Sequence, residues 1–463
     1  MLSQKIKEGY WEFRKLANKL SYWFRDYGYQ LIIFNKIVQA ATKGASSNYP
    51  REDNALIFIS YYSPPYISAY GTQRLSKFIK YWNLLDQKII LLTTVPPSGE
   101  REANPTNMDK IENYCQAVRI PLVEIRNLTE RKSGYAPDKY IGWIDKAVNK
   151  ADEIIALSKP RAIIATVPPY SNAVAAYLIS KAHDIPLILD FRDPWSKIDH
   201  AWIINNRFLR CISAFMEYIV LRSATLILIA DDKHHLPQYL VKGDRWRHKT
   251  VTITNGYDEE QFDDGQLTAN EDGFFKISYV GSIYGQETLD NLLAPLLLWH
   301  QDHPEDLKQV IFFYAGSSAL VTKASFDFIH DVVIKGFLSH QDSINLRYKS
   351  NLQFFTLPSY IKDHIYTGKI FEMIRTPVPI LAICRPNSAP AELIRRTNTG
   401  VIFTNKQVPE TALCLKRQFD KWKNGIDDYS PNTCEITKYE RKILAEKALR
   451  SIDTAIDQCV YLE

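Results

Sequence analysis

From position 55 onward, short β-branched and apolar runs alternate with amphipathic stretches of helical length, and the alternation occurs in two successive blocks. A strand followed by a crossover of a dozen or more residues rejoins its sheet in parallel, so this pattern predicts βαβ units. In the first block the runs read as strands at 55–60, 88–94, 121–126, 161–165, 186–190 and 225–230. Between the first two, Leu75, Phe78, Ile79 and Trp82 recur at i, i+3, i+4 and i+7, one apolar helix face to cover a sheet. The stretch GYDEEQFDDGQLTANEDG, 256–273, is polar, acidic and without periodicity, and reads as a linker. Strand-like runs resume at 275–280, 309–315, 332–336, 351–356, 378–383 and 399–403.

A chain of 463 residues exceeds the roughly 250–300 residues at which single cores stop growing, so two doubly wound domains are expected. The predicted division is a basic aromatic helical extension over 1–45, an N-terminal α/β domain over 46–260, a C-terminal α/β domain over 261–434, and a terminal helical segment over 435–463. Residues 435–459 read as one amphipathic helix carrying Ile443, Leu444, Ala448, Ile452 and Ile456.

With 46% hydrophobic and 24% charged residues the composition excludes a disordered chain. No run approaches the ~20 apolar residues of a membrane span, and no secretory leader is evident. The six cysteines, at 115, 211, 384, 414, 434 and 459, form no C-x-x-C pair and no zinc spacing. A cytoplasmic protein without metal or other cofactor is expected.

The net charge of +5 is accounted for by residues 1–45, which hold eight Lys/Arg against three Asp/Glu (8 − 3 = +5). There Lys5, Lys7, Arg14, Lys15 and Lys19 interleave with Tyr10, Trp11, Phe13, Tyr22, Trp23 and Phe24. Such a segment either lies on an anionic membrane surface, making the protein peripheral to the inner face of the plasma membrane, or packs on the first domain. No nucleic-acid recognition module accompanies it.

Ligands of open α/β sheets bind beyond the carboxyl ends of the strands. The loops leaving those ends are YYSPPYISAYGTQR after 55–60, TVPPYSN after 161–165, DFRDPW after 186–190, and GSIYG after 275–280. Glycines 281 and 285 allow backbone N–H groups to approach an anion, or they simply make a turn. Neither G-x-G-x-x-G nor G-x-x-x-x-G-K-[ST] occurs, which disfavours a redox or ATP-driven enzyme. In YTGKIFEMIRTPVPILAI, Lys369 and Glu372 are three apart at a helix start. A cation there can neutralise a diphosphate while the carboxylate accepts from ribose hydroxyls, or the two form a surface ion pair.

In order and separation these segments, with PDKYIGWIDKA at 137–147, ITNGYDEEQF at 253–262 and AELIRRTNTGVIF at 391–403, resemble family-four glycosyltransferases of bacterial polysaccharide and glycolipid assembly. The resemblance covers nearly the whole chain. It implies the GT-B fold, two Rossmann-like domains with a C-terminal helix crossing back to the first. It further implies a UDP- or GDP-linked sugar donor, a glycan or lipid-linked acceptor, and usually retention of configuration. Carried over by position, Lys369 would contact the donor phosphates and Glu372 the ribose, while Arg74, Arg192 and Asp193 would face the cleft from the acceptor-side domain. The candidate donor site is completed by Gly281, Ser282 and Ile370, the acceptor side by Tyr62, Pro168, Tyr170 and His364. The candidate catalytic residues are Asp193, Arg192 and Lys369, with Asp193 the base if transfer inverts and His364 the weaker choice. His364 stands where many members have the first of two glutamates, and GSIYGQETLDN lacks the usual basic residue after its Gly-Ser pair. No D-x-D triplet is present, so metal-independent transfer is expected. The competing readings are a catalytically impaired GT-B protein that binds a nucleotide or a partner transferase, and a GT-B epimerase or phosphorylase.

Overall fold

The computed structural model describes residues 28–42, 54–65, 72–95, 110–121, 135–195, 206–231, 248–262, 273–281, 283, 286–317, 320–358 and 366–461. The chain divides into two compact units, one reaching Ile253 and resuming at Ala445, the other spanning Thr254–Leu444.

The first unit is built on seven parallel strands, β1 (Ala55–Ile59), β2 (Lys88–Thr94), β3 (Gln116–Ile120), β4 (Ala162–Val167), β5 (Leu187–Phe191), β6 (Leu226–Ile229) and β7 (Thr250–Thr252), in the order β3-β2-β1-β4-β5-β6-β7. Five described helices accompany them: α1 (residues 28–42), α2 (Thr72–Asn83), α3 (Trp143–Leu157), α4 (Ser171–His183) and α5 (Arg207–Ser223). The predicted apolar face of α2 is buried, with Trp82 stacked on Phe78 at 5.0 Å and on Phe58 of β1 at 5.9 Å. Two strand assignments need correction. The strand expected at 121–126 lies earlier, at Gln116–Ile120, and residues 122–126 fall outside the described set. As an edge strand, QAVRI is buried fully only at Ile120, so it lacks the continuous apolar run used to find inner strands. The other edge strand, the three-residue TVT of β7, escaped notice for the same reason.

The second unit has six parallel strands, β8 (Phe275–Val280), β9 (Val310–Ala315), β10 (Asp331–Ile334), β11 (Leu352–Thr356), β12 (Ile380–Ile383) and β13 (Gly400–Phe403), ordered β10-β9-β8-β11-β12-β13. Its described helices are α6 (Gln286–Asp302), α7 (Pro304–Leu307), α8 (His340–Tyr348), α9 (Lys369–Arg375), α10 (Ala389–Thr397), α11 (Val408–Lys423) and α12 (Thr433–Thr437). Alternate residues of β12 enter opposite cores, Leu381 and Ile383 on one face, Ile380 and Ala382 on the other, as a sheet covered on both sides requires. Tyr257 and Phe262 belong to the second of these cores, so the acidic stretch read as a linker begins with packed residues.

The predicted single helix over 435–459 is two helices, α12 and α13 (Arg441–Tyr461). The break exists because Tyr439 and Arg441 bond the backbone of Tyr257, O to N at 3.1 Å and N to O at 2.8 Å. Gly256 makes room for this, since a β-carbon there would sit 2.1 Å from the Tyr439 carbonyl oxygen. From Ala445 the helix belongs to the first unit, where Trp82 Nε1 donates to Ala445 O at 2.7 Å and Arg161 pairs with Asp453 at 2.7 Å. No described helix is long and apolar enough to cross a membrane.

In both sheets the strand numbering runs 3-2-1-4-5-6 from one edge. The winding reverses between β1 and β4 in one unit and between β8 and β11 in the other. Sheets of this kind bind ligands outside the strand ends at that reversal.

Candidate active site

In the second unit, α9 begins directly after Gly368. Its sequence KIFEMIR sends Ile370, Phe371, Met373 and Ile374 into the core and leaves Lys369 and Glu372 on the other side. Ile370, expected at the donor, is therefore corrected to a core residue. It is 0% exposed, and its N–H donates to Thr367 O at 3.1 Å.

Lys369 reaches over the reversal point. Its Nζ donates to Tyr279 Oη at 3.0 Å and lies 4.2 Å from the Tyr279 ring centroid and 5.5 Å from that of Phe355, residues of β8 and β11. Two aromatic faces hold a cation there in place of water. Burial, with the Arg347 charge adding to it, pushes the ammonium pKa down to about 7. Among the described residues no carboxylate pairs with it. The Lys369–Glu372 ion pair allowed by their spacing does not form.

Glu372 instead meets His340, Nε2 to Oε1 at 2.7 Å, and faces Arg347, Nη2 to Oε2 at 3.8 Å. Burial alone would raise its pKa, but the His340 hydrogen bond and the charges of His340, Arg347 and Arg441 hold it below the usual glutamate value. Arg347 is 1% exposed and also contacts Gln353 Oε1 at 3.4 Å. His340 and Arg347 were not anticipated. They come from α8, 32 and 25 positions before Glu372, and only the turn signal S-H-Q-D hinted at their placement. Ser339 caps that helix by accepting from Asp342 N at 3.1 Å, which sets His340 at its first position.

Gly281 plays a different part from the one expected. Its N–H donates to Ala315 O at 2.8 Å and is not open to an anion. It has a φ of +134°, and a β-carbon there would lie 3.3 Å from Lys369 Nζ, so the glycine provides the space through which the lysine passes. Gly316 packs on it in turn, where a β-carbon would come 2.2 Å from Gly281 O. Ser282, Gly285 and His364 lie outside the described residues. A cavity of about 340 Å³ elsewhere in this unit is lined by Glu287, Asp290, Asn291 and Thr404, and its carboxylates oppose a diphosphate.

In the first unit Arg74 is corrected from an acceptor-facing residue to a buried one. At 4% exposure it forks onto Asp190, 1% exposed, with Nη2 to Oδ1 at 2.8 Å and Nε to Oδ2 at 3.2 Å. Thr166 Oγ1 donates to the same carboxylate at 2.9 Å, and the Phe78 ring lies 4.6 Å beneath the guanidinium. The pair ties α2 to β5 beside the reversal point. Arg192, at the end of β5, is held to Pro168 O by its side chain and to Val167 O by its backbone at 3.0 Å. Asp193 beside it is exposed. Tyr170 supports the same turn, donating to Pro194 O at 2.5 Å and stacking on Trp195 at 5.1 Å. Tyr62 meets Tyr140 hydroxyl to hydroxyl, with the rings 5.6 Å apart.

The N-terminus of α4, at the end of β4, is already filled. Asp138 accepts from Ser171 N at 3.0 Å and Ser171 Oγ at 2.6 Å, although burial raises its pKa. A helix N-terminus attracts anions, and here the chain supplies its own.

No family model matches the sequence, and no curated protein does. Solved structures do. A glycosyltransferase from Rickettsia africae aligns at 14% identity over 87% of this chain and 98% of its own, with a TM-score of 0.59. The lipopolysaccharide outer core galactosyltransferase WaaB, in its apo form, aligns at 11% identity over 86% and 99%, with a TM-score of 0.54. A Listeria monocytogenes protein described as a UDP-N-acetylglucosamine 2-epimerase aligns at 11% identity over 87% and 97%, with a TM-score of 0.50. These likenesses span nearly the whole of each chain, and with two sheets of Rossmann order they place this protein among those of GT-B fold.

Proposed function

We propose that this protein transfers a glycosyl group from a UDP- or GDP-linked sugar to a glycan or lipid-linked acceptor in the cytoplasm. One observation carries the proposal: Lys369, a half-buried cation with no carboxylate partner among the described residues, sits over β8 and β11 where a Rossmann sheet takes its ligand. The relatives in fold described as glycosyltransferases support the class of reaction.

As the bond from the anomeric carbon to the leaving phosphate oxygen breaks, its electron pair goes to the nucleoside diphosphate, and the sugar becomes oxocarbenium-like. Catalysis therefore needs positive charge at the phosphate. The Lys369 ammonium supplies it, and Gly281 leaves that ammonium room. Glu372, fixed by His340 and Arg347, presents its carboxylate to the ribose hydroxyls. With retention, a leaving phosphate oxygen takes the acceptor proton, and no protein base is needed. With inversion, Asp193 is the base, held on a turn that Arg192 and Tyr170 anchor. The absence of a D-x-D triplet from the sequence leads us to expect turnover that survives a chelator.

The test is a panel of nucleotide sugars with membrane and glycan acceptors, following nucleotide release and acceptor mass. A glycosylated acceptor with released nucleoside diphosphate supports the proposal. An epimerised donor with no acceptor product would replace transfer by epimerisation. Nucleotide binding without any turnover favours the non-catalytic reading, which His364 in place of a first glutamate and the lack of a basic residue after the Gly-Ser pair also motivate.

A further inference from the structure

The outer face of α5 combines residues that rarely share a soluble surface. Phe208, Cys211, Phe215, Tyr218 and Arg222 follow at i, i+3, i+7, i+10 and i+14, which is one continuous helical stripe. All five are exposed, Phe208 at 59%, Phe215 at 44% and Tyr218 at 37%. Arg207 and Arg210 flank the stripe and are exposed as well. The helix has one acidic residue, Glu217, and it is 1% exposed on the inner side.

Helix α1 extends the face. Phe34 meets Phe215 with ring centroids 5.5 Å apart, and beside it Leu31 and Ile32 are 47% and 54% exposed. Residues 28–42 contain no carboxylate, and the single cation there, Lys36, pairs with Asp145 at 2.8 Å. Two adjoining helices thus present aromatic and branched apolar side chains edged by three arginines.

We propose that this α1–α5 face is the surface by which the first unit docks on an anionic lipid bilayer. Aromatic rings favour the headgroup level, guanidinium groups bond lipid phosphates, and a carboxylate on the face would be repelled. The aromatic residues provide the apolar part of the affinity and the arginines restrict it to negatively charged lipid. This inference does not rest on the reading of the donor site.

The full-length protein is sedimented with vesicles of phosphatidylcholine alone and of phosphatidylcholine with phosphatidylglycerol. Wild type should pellet with the anionic vesicles only, less so as salt is raised. A triple variant, Arg207→Glu, Arg210→Glu and Arg222→Glu, should lose at least about 100-fold in apparent affinity, about fivefold for each arginine removed with the added carboxylates repelling the surface further. A Phe208→Ser, Phe215→Ser variant should bind weakly even at low salt. Both change exposed side chains, and an unaltered thermal midpoint shows that the fold is kept. Equal pelleting with neutral vesicles, or variants that pellet like wild type, overturns the proposal. So does a wild-type dimer that Phe215→Ser dissolves and that binds no vesicles, since the face would then meet a second copy of the chain.

Discussion

A lysine that loses its proton near neutrality when empty should make donor binding depend on pH, and Lys369 provides a sharp case. With its pKa at about 7 in the empty site, the ammonium form falls from about nine tenths of the population at pH 6 to about one hundredth at pH 9. The diphosphate of a nucleotide sugar keeps its charge throughout that window, and it binds the charged form. The apparent Kd should then follow 1 + 10^(pH − 7), rising about 90-fold from pH 6 to pH 9. Lys369→Met removes a charge-assisted contact of about 1.5–3 kcal/mol, so at pH 6 it should weaken binding roughly 10- to 150-fold. Its binding should be nearly independent of pH, and the two curves should converge near pH 9. Lys369→Arg stays charged and should lose the pH dependence while keeping affinity at the alkaline end. Isothermal titration calorimetry with a nucleotide sugar at four pH values measures all three. A flat wild-type curve between pH 6 and 9, or unchanged affinity of Lys369→Met at pH 6, would refute the reasoning.

Other consequences follow from the same geometry. The folded pKa of Lys369 lies below its unfolded value of 10.5, so the empty protein gains stability as pH rises between the two, and Lys369→Met should raise the ligand-free thermal midpoint at pH 6 but not above pH 10.5. Asp190→Asn leaves the buried Arg74 without its counter-charge and should cost about 3–5 kcal/mol, read as an earlier thermal transition. Gly281→Ala strains a residue at φ +134° and crowds Lys369 Nζ, so donor affinity should fall while circular dichroism is unchanged. Glu372, with its pKa depressed, adds stability above pH 4.5 that is lost as pH falls through the folded pKa; Glu372→Gln should flatten that acid limb and raise KM for the donor. Asp193→Asn with full activity and native folding would remove Asp193 from the catalytic scheme.

What the sequence showed depended on how far apart the interacting residues lie. The strands buried on both faces announce themselves as unbroken apolar runs, and α2 was visible because Leu75, Phe78, Ile79 and Trp82 keep helical spacing within one element. Edge strands β3 and β7 carry no such run, because most of their residues are only half-buried. The break between α12 and α13 was hidden for another reason. It is made by Tyr257, far upstream, and the helical periodicity of 443–456, which lies wholly within α13, carries no mark of where that helix begins. At the site, Lys369 was legible from its place at a helix start after a glycine. Its partner Tyr279 is 90 positions away, and Arg74 lies 116 from Asp190, distances at which spacing says nothing about contact. Ile370 was misplaced because a motif names neighbours in the chain, whereas a helix sends adjacent side chains in different directions.

A crystal structure of the protein with a bound nucleoside diphosphate tests the central claim most directly. The account predicts phosphate oxygens within hydrogen-bond distance of Lys369 Nζ, over the ends of β8 and β11, with the ribose turned toward Glu372. A nucleotide bound elsewhere on the second unit, with Lys369 still resting on Tyr279 and bonded to no phosphate, would contradict it.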